Sequence, residues 1–66
     1  MKEFARVIKE LREEKGLTKS ALAEALGISH VTVVNWENGK KVPGIYTFIE
    51  LSKFFKVRID YLVGLE

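Results

Sequence analysis

The sequence predicts an all-α chain of five helices in a compact arrangement with short connections. Three observations carry that prediction. Apolar residues recur three and four apart over residues 2–15 and 45–55. Thr18 and Ser29 each precede a short periodic segment, as helix caps do, and Gly27 stands between the segments, as a helix stop does. A β-rich reading has only Val31–Val34 to rest on, and that run lies between a capping serine and a Trp-Glu-Asn-Gly stop.

Residues 2–15, KEFARVIKELREEK, form an amphipathic first helix with Phe4, Val7, Ile8 and Leu11 on one face. On its polar face Lys9–Glu13 is a favourable i,i+4 pair and Glu10–Glu14 a repulsive one, so the two roughly cancel. Gly16 ends the helix and Leu17 tucks back as an apolar contact. The second helix covers about 19–26. Thr18 caps it, Leu22, Ala23 and Leu26 share a face, and Gly27 stops it. Ala23 lies four residues before Gly27, where two crossing backbones come close and a bulky side chain does not fit. Ile28 plugs the corner.

The third helix covers about 30–37, capped by Ser29, with Val33 and Trp36 facing inward. Ser29, His30, Val31, Val34 and Asn35 are left on the opposite face. Its β-branched run is a poor helix former, so pattern rather than propensity supports it. Asn38 and Gly39 end it. Lys40, Lys41, Val42 and Pro43 make a basic loop, with Pro43 biasing Val42 toward extended geometry. A fourth helix runs over about 45–55, with Ile45, Phe48, Leu51, Ser52 and Phe55 on its covered side and Tyr46, Ile49 and Phe54 partly exposed. Val57 and Arg58 link it to a fifth helix, about 59–63, ended by Gly64.

Composition narrows the function. The 66 residues are expected to form one domain, 1–66. A chain this short buries only ~60% of the surface its unfolded form exposes, so a single helical core or a dimer is the usual remedy. There is no cysteine, and one histidine cannot build a metal site alone, so no metal and no cofactor are expected. An enzyme fails on inventory: His30 is the only imidazole, and no carboxylate pair sits in an evident cleft. The first segment is charged and amphipathic, unlike an apolar signal region. No apolar run approaches the ~20 residues that cross a bilayer. A soluble cytoplasmic protein with no membrane partner is the expectation. The net charge is only +2, but from Lys15 to Lys41 the cations Lys15, Lys19, Lys40 and Lys41 face only Glu24 and Glu37. A basic face of that kind steers toward phosphate; ordinary solvated charge is the competing reading.

The run LTKSALAEALGISHVTVVNWENGKKVP, Leu17–Pro43, resembles the helix-turn-helix of the Cro and phage-repressor family. Leu17, Leu22, Ala23, Leu26, Gly27, Ile28, Ser29, Thr32, Val33, Trp36, Glu37, Gly39 and Pro43 all match in register. The likeness extends upstream to Leu11 and Arg12 and downstream to VRIDYLVG, Val57–Gly64. The sequence departs from the family pattern at Lys19, where glutamine is usual, and at Arg58, where a serine or asparagine cap is usual. It departs also at Val31 and Val34, where many relatives are polar.

The resemblance implies a lambda-repressor-like DNA-binding domain. It implies a dimeric transcriptional regulator, a repressor of prokaryotic or phage origin, that binds double-stranded DNA at an inverted repeat. The third helix would lie in the major groove with Ser29, His30, Val31, Val34 and Asn35 toward the bases. Asn35 can pair with adenine through its amide, His30 can meet a purine edge, and Val31 can pack on a thymine methyl. Thr18, Lys19, Asn38, Lys40 and Lys41 fall where the family meets phosphates. Arg12 and Glu37 would form a bidentate clamp between the first helix and the end of the third. Val57, Arg58, Ile59 and Tyr61 fall on the family's dimer surface, with Phe54, Val63 and Leu65 adding apolar area. Completion of the monomer core is the competing role, favoured for Ile59 and Leu62 and disfavoured for Arg58 and Tyr61. For Trp36 core packing outweighs base stacking, and for Ser29 capping is the main task. Val31 and Val34 keep open an alternative, a protein-interaction module or antitoxin on the same fold.

Overall fold

The computed structural model of the chain describes residues 2–64. The chain runs α1 (Lys2–Glu14), α2 (Lys19–Leu26), α3 (His30–Glu37), α4 (Ile45–Phe55) and α5 (Ile59–Leu62), with no strand among the described residues. α1 ends one residue before its expected end because the chain turns at Gly16, whose φ is 72°. The Gly16 amide reaches the Glu13 carbonyl at 2.9 Å and the Leu17 amide the Arg12 carbonyl at 3.1 Å, a Schellman closure. α5 also stops one residue early, with Val63 as its C-cap.

The core draws on every helix. Phe4, Val7, Ile8 and Leu11 of α1 meet Leu22 and Ala23 of α2, Val33 and Trp36 of α3, Phe48, Leu51 and Phe55 of α4, and Leu62 of α5. Fully buried Phe4 is the common neighbour of two rings, edge-on to Trp36 with centroids 5.9 Å apart and to Phe48 at 5.2 Å. α1 thereby joins the α2–α3 pair to the α4–α5 pair. On its outer face Glu10 accepts from Arg6 at 3.0 Å, and Lys9 and Glu13 form no pair with each other.

α4 departs from expectation at one residue, Ile45. Ile45 is 61% exposed rather than covered. It opens the helix one turn ahead of Phe48, where α4 first meets the core, and Tyr46 beside it is also exposed. Phe54 is half-buried and packs edge-on against Phe55 at 4.9 Å, with the Lys15 ammonium 5.1 Å from its ring centre. α4 closes on Lys56 in the left-handed region (φ 57°, ψ 46°), and the Ser52 hydroxyl donates to the Val57 carbonyl just beyond. Gly64 (φ 81°) lies so close to α1 that a Cβ there would overlap the Glu3 Cβ. Leu65, expected to add apolar area here, lies outside the described residues.

Candidate nucleic-acid interface

The corner between α2 and α3 is assembled from local hydrogen bonds. Thr18 Oγ1 accepts from the Ala21 amide at 3.0 Å, opening α2. Gly27 takes φ 70°, which lets the Ile28 amide reach back to the Ala23 carbonyl at 2.9 Å. Ser29 Oγ accepts from the Val31 amide at 3.1 Å and opens α3. Both caps use extended backbone, and only residues 27–29 separate the end of α2 from the start of α3. Ala23 is buried at this crossing.

Burial divides α3 into two faces. Val33 and Trp36 are sealed in the core. Ser29 and His30 are exposed, Val31 is 61% exposed, and Val34 and Asn35 are half-buried. One continuous outer strip therefore carries a hydroxyl, an imidazole, two valines and a carboxamide. Of the residues expected at phosphates, Thr18, Asn38, Lys40 and Lys41 are exposed and Lys19 is half-buried. The Asn35 carbonyl accepts from the Lys40 amide at 2.9 Å and the Lys41 amide at 3.4 Å. The basic loop is thus anchored to the same residue whose side chain lies on the strip.

Behind the strip stands an ion pair. Arg12 Nε donates to Glu37 Oε2 at 2.6 Å, and Nη2 donates to Oε1 at 3.1 Å. Nη1 donates to the Leu17 carbonyl at 2.8 Å. The Arg12 side chain is 10% exposed and that of Glu37 3%. The hydrogen bond to Glu37 raises the Arg12 pKa above its ordinary value, against the opposing effect of burial. With Glu37 engaged in this way, its carboxylate is compensated by Arg12 and nearly sealed from solvent.

Among the residues expected at a dimer surface, Val57 and Ile59 are half-buried, Arg58 is exposed and Tyr61 is 37% exposed. Arg58 precedes α5 without capping it, and its guanidinium instead meets Asp60 at 2.9 and 3.2 Å. Val57, Arg58 and Tyr61 line one open groove together with Leu11, Glu14 and Lys56, whereas Ile59 lies outside it. The sequence offers no cue for Lys56 here, because nothing local marks a lysine for left-handed backbone. Among the described residues no group of three His, Cys, Asp or Glu side chains could hold a metal ion. No helix among them is long and apolar enough to cross a membrane.

A family model described as helix-turn-helix matches residues 8–62. The chain belongs to this family, the Cro/CI-type helix-turn-helix regulators. Its curated relatives bear this out. An HTH-type transcriptional activator, BcrR of Enterococcus faecalis, is 41% identical over 62 residues, covering 94% of this chain and 30% of that protein. The cryptic phage CTXphi transcriptional repressor RstR of Vibrio cholerae is 33% identical over 61 residues, 92% of this chain and 55% of that one. An HTH-type regulator of Methanocaldococcus jannaschii, MJ0272, is 36% identical over 53 residues, 80% of each chain. Among solved structures, a transcriptional regulator from Listeria innocua superposes with a TM-score of 0.86 at 36% identity, over 92% of this chain and 57% of that one. The chain thus spans about a third of the activator's length and about half of the repressor's. The family is one of DNA-binding transcriptional regulators, and the all-helical fold agrees with it.

Proposed function

We propose that the chain is a sequence-specific reader of double-stranded DNA that acts as a dimeric repressor, with α3 in the major groove. The observation that carries this reading is the outer strip of α3. It faces solvent at Ser29, His30 and Val31 and partly at Val34 and Asn35, while its inner face is fixed by Val33, Trp36 and the Arg12–Glu37 pair. A rigid helix with a mixed polar and methyl surface suits base edges, because donors, acceptors and thymine methyls are what the major groove displays.

In this reading Asn35 pairs with an adenine, and His30 meets a neighbouring purine. Val31 packs on a thymine methyl, with Ser29 and Val34 beside them. Thr18, Lys19, Asn38, Lys40 and Lys41 meet phosphates and set the register. Val57, Arg58, Ile59 and Tyr61 contribute to pairing of two copies. The Cα extents of 27 × 24 × 22 Å suit such a pair. Two touching copies, with ~8–10 Å between facing helix axes, can set equivalent points one turn of DNA apart, ~34 Å. An inverted-repeat operator follows from the two-fold symmetry. Repression needs nothing further from this domain, since a dimer over two half-sites occludes the DNA it covers.

Selection of bound duplexes from a random pool, followed by gel shift over a salt series, tests the proposal. A reader yields a selected inverted repeat, and its affinity falls steeply with salt. The exposed Val31 favours one rival, a protein-binding module or antitoxin on the same fold. Recovery of no enriched sequence, with only weak salt-dependent binding to random DNA, would point to it.

A further inference from the structure

Lys56 is the only non-glycine among the described residues with positive φ, at 57°. Left-handed backbone disfavours any side chain, and glycine is the ordinary occupant of such a helix end. A side chain kept there against that preference suggests that the side chain itself has a task. Lys56 lies on the wall of the groove that Leu11, Glu14, Val57, Arg58 and Tyr61 complete. Leu11 is buried and Val57 half-buried, so the floor is apolar. Glu14, the last residue of α1, and Lys56, just after α4, give the groove one acid and one base. Neither takes part in an ion pair or side-chain hydrogen bond among the described residues. Arg58, in contrast, is held by Asp60.

A surface that carries one acid and one base beside an apolar floor is complementary to itself. Under a two-fold rotation, the acid of each copy meets the base of the other. DNA is a poor occupant, because Glu14 would face phosphate. We infer that a second copy of this chain fills the groove, with Glu14 of each protomer paired to the partner's Lys56. This rests on the dimeric reading above and adds the residues that set its register. The pair gives the register and the partner choice, and the apolar floor of Leu11, Val57 and Tyr61 gives the attraction.

Sedimentation velocity of the full chain over a concentration series, at low and high salt, reads the dimer dissociation constant. Lys56→Glu and Glu14→Lys each place like charges at two symmetry-related contacts, so each should weaken the dimer by roughly tenfold or more. The doubly exchanged variant should return to within about threefold of the parent, because the pair is restored with its sign reversed. Lys56→Gly should raise the melting temperature while weakening the dimer, a split that a merely structural lysine would not give. A parent dimer indifferent to both single reversals, or not rescued by the exchange, overturns the pairing and leaves the dimeric reading standing. A parent that stays monomeric at every concentration, and fills two half-sites without cooperativity, overturns both.

Discussion

Arg12 donates from all three of its guanidinium nitrogens, two to Glu37 and one to the Leu17 carbonyl. It therefore ties α1, the turn after it and the last residue of α3 at one point. Such a pair adds little over an apolar equivalent, but stranding one partner is expensive. Glu37→Gln leaves a near-buried guanidinium facing a neutral amide, and should cost about 2 kcal/mol, a Tm drop on the order of 10 °C. An unchanged melting curve would show that the pair adds nothing. No pH dependence in the ordinary range is expected from the arginine. Its folded pKa lies above the unfolded one, so its stabilisation is present at all lower pH and fades only as pH rises through that raised value. At the outer strip, Asn35→Ala should lose about 1–3 kcal/mol per half-site and relax the base preference at that position alone, read by repeating the selection with the variant. Only part of this was legible in the sequence. Residues 25 apart do not announce a contact, so the resemblance alone points to Arg12 and Glu37. The Leu17 carbonyl as third acceptor depends on the turn at Gly16, which residue types do not specify.

Helix by helix, legibility followed periodicity. α1 and α4 show their inward faces in the spacing of Phe4, Val7, Ile8 and Leu11 and of Phe48, Leu51 and Phe55, and all of these are buried. Ile45 fits the same spacing yet is exposed, because periodicity cannot say where along its length a helix first meets the core. α3 is apolar on both sides, and only the placement of Trp36 between a cap and a stop distinguishes in from out. Trp36→Ala should cost roughly 3–5 kcal/mol, enough to unfold a domain this small, as circular dichroism would show. The two helix stops at Gly27 and Gly64 should respond differently. A Cβ at Gly27 meets nothing within 4 Å, so Gly27→Ala suffers only its left-handed backbone, about 1 kcal/mol. Gly27→Asn should recover part of that, since asparagine tolerates the conformation. Gly64→Ala adds a clash with Glu3 and should lower the Tm by more than Gly27→Ala does. Equal losses at the two sites would show that α5 yields freely.

As a whole, the molecule exposes 4292 Å². A folded monomer of its mass exposes about 4,200 Å² by the usual scaling, so one copy is already packed like a complete globule. Pairing then joins preformed bodies and depends on concentration. The net charge of +2 says little about nucleic acid; the exposed Lys40 and Lys41, in a loop bonded to the Asn35 carbonyl, say more. Replacing Lys40 by alanine should weaken selected and random duplexes alike and reduce the slope of log K against log salt by about 2 per dimer. A slope that does not move would place Lys40 away from phosphate. At this scale the sequence shows the fold and the family. It shows neither the exposed start of α4 nor the left-handed lysine, because both arise from how finished helices meet.

The near-contact of Glu3 with Gly64 brings the two extremities of the described chain side by side. A host protein's surface loop could therefore carry the entire bundle as an insert without being pried apart. Equally, the extremities could be stitched by a short linker and the chain reopened at a different turn, with the outer strip of α3 left undisturbed.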